Sequence, residues 1–351
     1  MDIYRNIRES LSRKRLDGFL ITDLLNIKYL TSFSGSSAAL FIGRESIVFF
    51  TDFRYQYECE QLLTREELVI VRGDFLDGIR KHLKSRGARK LGFEYGASYQ
   101  AYDRLRSSFQ LMSLKNTVER FRIRKEREEL RHIRTATKRA EHAFLESRKW
   151  IRAGTTERKV ALVLEDHLKK AGCRKAPFDI IVASGRNAAL PHARASEKKI
   201  EHGDLVVIDW GGEAEGYMAD MTRTVLLRGS DLGIKKRIYD IVLKANRRAL
   251  ESVRPGLACR DIDGTARAVI EQEGYGDFFG HGTGHGVGLN VHESPSISPR
   301  SKEVVAPGMV FTIEPGIYLP DIGGVRIEDM IAVEKDRGRL LTALPKGLEI
   351  L

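Results

Sequence analysis

Apolar positions in the first 116 residues come in short runs separated by charged segments. GFLIT (18–22), AALFIG (38–43), ESIVFF (45–50), ELVIVRG (67–73) and KLGFEY (90–95) read as strands, while residues 2–16, 75–86 and 99–108 space their apolar residues as amphipathic helices do. The alternation predicts a compact α/β unit. No GxGxxG opens a helix after any of these strands, so a dinucleotide site has no support.

From Val118 to Trp150 the chain is densely charged, with Leu130, Ile133, Ala136, Ala140, Ala143 and Phe144 at spacings of three and four. That pattern predicts one long amphipathic helix, or two with a break, as the joint between domains 1–117 and 118–351. Gly154 and Thr155 mark a stop and a fresh N-cap, and Val160, Leu164 and Leu168 give a second helix ending at Gly172. Strands follow at DIIVASG (179–185), in two arms within 205–226, and around VFTIEPG (310–316) and VRIEDMIAV (325–333), with helices near 231–252 and 259–273. The second domain is therefore α+β, and its order of helix pair then strand pair occurs twice without a repeated sequence.

The two arms pose a chemical problem. Leu205–Ile208 is an unbroken apolar run, as expected of a strand covered on both faces, yet it leads into Asp209, and Asp220 sits on the return arm. A turn at Ala214–Glu215, within GGEAEG, sets Asp209 opposite Asp220. Facing side chains lie about 5 Å apart at Cβ, and like charges there repel. Either the pair shares a proton or cations lie between the carboxylates.

Composition changes little. The 351 residues, 42% hydrophobic and 30% charged, fit a folded protein of two domains. Cys59, Cys173 and Cys259 form no CxxC pair, and the expectation is buried thiols in a reducing compartment. The N-terminal MDIYRNIRESLSRKRL lacks the apolar core of a secretory signal, and no run of 18 apolar residues follows; the expected location is cytoplasmic, with no membrane partner. The net charge of +11 is spread along the chain among acids, without a zinc-finger or RNP-type motif, which argues against nucleic acid as a partner.

Three further stretches carry metal-competent side chains. In FTIEPG, Glu314 ends an apolar strand just before Pro315; in GGVRIEDMI, alternation puts Arg326 and Glu328 on one face, with Ile327, Asp329 and Ile331 on the other. In GHGTGHGVGLNVHE (280–293), His281 and His285 have the i, i+4 spacing of a helical site, but the glycines between and around them oppose a helix. Repeated glycine there points to backbone in close approach to a metal centre or a substrate chain. Glu328 taken alone reads equally well as a salt-bridge partner of Arg326, and Arg223 as either a partner of a ligand carboxylate or a solvent-facing residue. Trp210 and Tyr217 read as packing.

Taken in order, these motifs resemble the pita-bread metallopeptidase family of Xaa-Pro aminopeptidases, Xaa-Pro dipeptidases and methionine aminopeptidases, and the N-terminal domain is similar to that of the two proline-specific branches. The resemblance implies an N-terminal α/β domain of creatinase type and an α+β catalytic domain with the pita-bread fold. It makes Asp209, Asp220, His285, Glu314 and Glu328 the ligands of two divalent ions, with Asp209 on one, His285 and Glu314 on the other, and Asp220 and Glu328 bridging. It further implies a proton shuttle at Glu314, contacts from His192 and His292 to the tetrahedral intermediate, and an orienting role for His281 and Arg326. A set of four carboxylates and one imidazole favours Mn²⁺ or Co²⁺, with Zn²⁺ and Fe²⁺ also compatible.

The expected substrates are short peptides with proline second, cleaved before the proline. Some dipeptidases of the family have an arginine four residues past the position of His292 to hold the dipeptide carboxylate; here that residue is Ser296, which favours longer substrates and an aminopeptidase, with Arg300 or Arg326 as alternative sources of charge. The resemblance also implies a homodimer. Creatine-hydrolysing relatives lack the ligands that this sequence retains.

Overall fold

The computed structural model describes residues 2–351 and divides into two compact units, one up to Arg122 and one from Ile123 to Leu351. The first unit is a six-stranded sheet in the order Glu67–Ile70, Ile47–Thr51, Ala38–Gly43, Gly18–Ile21, Lys90–Glu94, Gln110–Leu114. The three central strands pair antiparallel, and the remaining pairs are parallel. Successive residues point to opposite faces, so Phe19, Leu40 and Phe49 join one apolar cluster while Leu20, Phe41 and Phe50 join another. Helices cover both faces, which is why these strands read as continuous apolar runs.

Five strands and three helices of this unit follow the sequence pattern, and the structure adds the strand Gln110–Leu114 and the helices Leu24–Thr31 and Gln56–Leu62. The added strand lies at the sheet edge with most of its side chains in or near solvent, so it carries no buried run. The charged joint contains a break: Glu119–Arg122 is a short helix, and Arg127–Ser147 is a long one opened by reciprocal capping between Glu126 and Glu129. The buried Asn26 ties the short helix to the first unit, donating to Glu119 at 2.8 Å and accepting from Arg122 at 2.9 Å.

In the second unit the helices Arg127–Ser147 and Glu157–Lys170 form one pair, and Gly233–Ser252 and Cys259–Gln272 form another. Strands lie between them. Val206, Ile208, Val310 and Met330 pack with the first helix pair, whereas Leu205, Leu226, Phe311, Ile313 and Ile331 pack with the second. With both faces of the β layer apolar, the acids of interest fall at strand ends and at the breaks between strands.

The hairpin register differs from the expected one. Asp209 lies opposite Thr222, and Met221 opposite Trp210. The turn residues are Glu215 and Gly216, with φ of 54° and 85°, the doubly left-handed turn that closes two-residue hairpins. This moves the turn by one residue and the register by two, so Asp220 is diagonal to Asp209 rather than facing it and keeps its face of the hairpin. No helix among the described residues is long and apolar enough to cross a membrane.

Candidate metal centre

Each acid of interest stands where a strand ends or breaks. Asp209 is near the end of Leu205–Trp210, and Asp220 precedes Met221–Leu226. Glu314 directly follows Val310–Ile313, and Glu328 lies between Gly323–Arg326 and Asp329–Val333. His285 is on the short strand Gly284–Gly286. The structure brings their ligand atoms into overlapping triads, Asp209 with Asp220 and Glu328, and His285 with Glu314 and Glu328, the atoms of each lying within 4.8 Å of one another. A third triad joins Asp220 and His285 to His292.

The glycines around His285 serve a different purpose from the one the sequence implied. A Cβ on Gly284 would stand 2.0 Å from the Thr312 carbonyl oxygen, and one on Gly286 would stand 2.2 Å from that of Ser294. What approaches is the neighbouring backbone, packed so closely that only glycine fits. The buried Asp263 fixes the same stretch from the helix below, accepting from Thr283 N at 3.0 Å and Thr283 Oγ1 at 2.8 Å, while Arg267 donates to the carbonyls of Phe279 and His281 at 2.8 Å.

His285 turns Nε2 toward the acids, 3.3 Å from Glu314 and 3.6 Å from Asp220. Its Nδ1 donates to the Gly286 carbonyl at 3.2 Å, which leaves the Nε2 lone pair facing the site. Burial holds this imidazole below its ordinary pKa, favouring the neutral form a metal ligand needs.

Four carboxylates thus face one guanidinium. Arg326 donates to Asp209 Oδ2 at 2.7 Å, not to Glu328; Glu328 instead accepts from Thr222 Oγ1 at 2.6 Å. Asp209 Oδ1 is buried without a partner. Burial pushes Asp220 well above the usual carboxylate range, and the charges of Glu328, Asp209 and Glu314 push it further. Burial, then Glu314 and Asp209, does the same to Glu328, and burial also raises Glu314. An orphaned carboxylate oxygen, crowded acids that favour protons in the absence of other cations, and a lone pair aimed at them fit divalent ions.

Side chains outside the ligand set complete the geometry. Arg326 also donates to Tyr318 at 2.9 Å, and the Tyr318 hydroxyl donates to His281 Nε2 at 2.9 Å, linking His281 to Asp209 through two intermediaries. Tyr318 has no counterpart in the sequence reading. Its signal was Gly316, opposite Arg326 in the ladder, where a Cβ would stand 2.6 Å from the Tyr318 oxygen. Arg223 neither pairs with a candidate ligand nor faces solvent: it is buried against Asp329 at 2.9 Å and donates to the carbonyls of Thr222 and Glu328. Trp210 stacks on Phe144 with ring centroids 4.4 Å apart, and Tyr217 donates to Glu129 at 3.0 Å, seating the hairpin on the long helix.

The centre opens into a cavity of about 560 Å³, lined also by His192, His281 and His292, whose ring meets that of His285 edge-on at 4.2 Å. His192 rides on the loop after the turn Gly185–Ala189. Glu157, fully buried, fastens this loop, accepting from Ser184, Asn187 and Ser196 at 2.6–3.1 Å.

Residues 131–335 match metallopeptidase family M24, and residues 4–124 match the creatinase/prolidase N-terminal domain. An Xaa-Pro dipeptidase of Pyrococcus horikoshii is 36% identical over 98% of this chain and 97% of its own length. The structure of an Xaa-Pro dipeptidase from Bacillus anthracis superposes with a TM-score of 0.96 at 38% identity, covering 100% of this chain and 99% of that one. An X-Pro aminopeptidase from Thermotoga maritima superposes with a TM-score of 0.87 at 36% identity, covering 97% and 100%.

Proposed function

Because the chain belongs to metallopeptidase family M24 and has its pita-bread fold, we propose that it is an Xaa-Pro dipeptidase, releasing proline from dipeptides at a two-metal centre. The observation that carries the reading is the pair of triads sharing Glu328, in which four carboxylates and His285 face a single guanidinium. Ser296 favours an aminopeptidase, but the dipeptidase alternative has the better support among the relatives, which include Xaa-Pro dipeptidases of Pyrococcus horikoshii and Bacillus anthracis beside the X-Pro aminopeptidase of Thermotoga maritima.

Asp209, Asp220, His285, Glu314 and Glu328 would hold the ions. Divalent ions held there would supply Lewis acidity toward the scissile carbonyl and toward water. Glu314 moves the proton from the attacking water to the proline nitrogen through its carboxylate oxygens. His192 and His292, on the cavity wall, donate to the oxyanion as it develops. Arg326 orients Asp209, and Tyr318, itself hydrogen-bonded to His281, holds Arg326 in turn.

The reading extends to Mn²⁺ or Co²⁺ as the working ions, to a homodimer as the assembly, and to the cytoplasm as the location, where the three buried free thiols Cys59, Cys173 and Cys259 stay reduced. Chelated protein reloaded with each ion and assayed on Leu-Pro and Leu-Pro-Pro tests it. Mn²⁺- or Co²⁺-dependent hydrolysis of Leu-Pro is expected, and faster cleavage of the tripeptide overturns the dipeptidase assignment.

A further inference from the structure

Across the hairpin from Asp209 stands Thr222, a fully buried residue with no part in the scheme above. Its hydroxyl lies between two groups already described. Arg326 donates to Thr222 Oγ1 through Nε at 3.0 Å, and Thr222 Oγ1 donates to Glu328 Oε2 at 2.6 Å. The direction of the second bond is forced. A guanidinium has donors and no acceptor, so the hydroxyl must accept from Arg326 and can give its single proton only to the carboxylate.

The same guanidinium donates to Asp209 Oδ2 through Nη2 at 2.7 Å. One rigid planar group thus sets the positions of two acids from strands far apart in sequence, Asp209 by direct contact and Glu328 through Thr222. The backbone fixes the spacing of the relay: Glu328 N donates to Thr222 O at 3.1 Å, and Arg223 Nη1 donates to the carbonyls of Thr222 and Glu328 at 2.9 and 2.7 Å. Branching at Cβ limits the rotamers open to Thr222, so the hydroxyl has little freedom to turn away.

Glu328 belongs to the triad with Asp209 and Asp220 and also to the triad with His285 and Glu314, so a displaced Glu328 carboxylate disturbs both. We propose that Thr222 is a positioning residue of the metal centre, carrying the hold of Arg326 on to Glu328 so that Asp209 and Glu328 are presented to cations as one preset unit. The inference rests on the metal-centre reading above and is independent of which peptides are cleaved.

The test titrates chelated wild type, Thr222→Val, Thr222→Ser and Thr224→Val with Mn²⁺ alone, following the free ion by its paramagnetic resonance, and melts each protein without metal. Thr222→Val, which keeps the shape and removes the hydroxyl, is expected to weaken Mn²⁺ binding roughly 10- to 100-fold, the range for partners that orient metal ligands. Thr222→Ser should restore most of that affinity. Thr224→Val is the structural control. Thr224 is buried on the same face of the same strand, but its hydroxyl bonds the backbone of Arg326, accepting from N at 3.2 Å and donating to O at 2.9 Å. It should lose thermal stability as Thr222→Val does and keep wild-type affinity for Mn²⁺. If Thr222→Val does not fold, Thr222→Cys, whose thiol is a weak donor, replaces it and should bind Mn²⁺ less tightly than Thr222→Ser. A wild type that binds no Mn²⁺ overturns the metal-centre reading and this inference with it. A wild type that binds, with undiminished affinity in Thr222→Val or Thr222→Cys or an equal loss in Thr224→Val, overturns the role of Thr222 alone.

Discussion

Arg326 Nη2 stands 2.7 Å from Asp209 Oδ2, while the other oxygen of the same carboxylate is buried with no partner. The arginine satisfies one oxygen of this carboxylate and leaves the other to be met by something else. Asp209 therefore couples the stability of the empty protein to its capacity for cations.

Replacing Asp209 by Ala should damage both. It strands the buried Arg326, and removing one member of a buried ion pair costs about 3 kcal/mol or more. Urea unfolding of chelated protein measures that loss, and elemental analysis should find fewer ions per chain. Asp209→Asn should lose metal with a smaller change in stability. Wild-type metal content in both variants contradicts the ligand assignment.

Tyr318→Phe removes the hydroxyl between Arg326 and His281 without touching a ligand. We expect kcat to fall about 10-fold, the equivalent of about 1.4 kcal/mol, at unchanged metal content. A fall in bound metal instead would make Tyr318 part of the ion cradle.

The raised pKa values of Asp220 and Glu328 give the metal-free protein a defined pH response. Groups whose folded pKa lies above the unfolded value contribute stability below the unfolded pKa, about 4, and lose it as pH rises through the folded pKa. Chelated protein should thus lose thermal stability as pH rises from 4 toward 8, whereas metal-loaded protein should not. The gap in Tm between the two forms widens with pH; a constant gap rules out proton–metal competition at these acids.

Gly284→Ala forces a methyl to within 2.0 Å of the Thr312 carbonyl, separating the strands that carry His285 and Glu314. A loss above about 3 kcal/mol is expected, together with weaker metal binding. Gly280, with no atom within 4 Å of its would-be Cβ, is the control, and Gly280→Ala should stay within about 0.5 kcal/mol. Equal effects at the two positions refute the crowding argument.

Two of the candidate ligands stood out by themselves because each terminates an apolar run, Glu314 after VFTI and Asp209 after LVVI, whereas the full set of five came from the resemblance of the ordered motifs to the family. Register was less visible. Glu215 adopts a left-handed φ that its side chain gives no cause to expect, so the hairpin turn was placed one residue early. The strand Gln110–Leu114 escaped notice because an edge strand need not be apolar. The link from Tyr318 to Arg326 was hidden for another reason: it depends on the missing side chain of Gly316, and absence of an atom leaves little mark in a pattern of hydrophobic positions.

Glu157 has a consequence for ligand entry. A wholly buried carboxylate that gathers Ser184, Asn187 and Ser196 turns the segment bearing His192 and Arg194 into a fixed jaw rather than a flap. Its ordering entropy is spent when the chain folds, so an arriving peptide meets a vice already set to width.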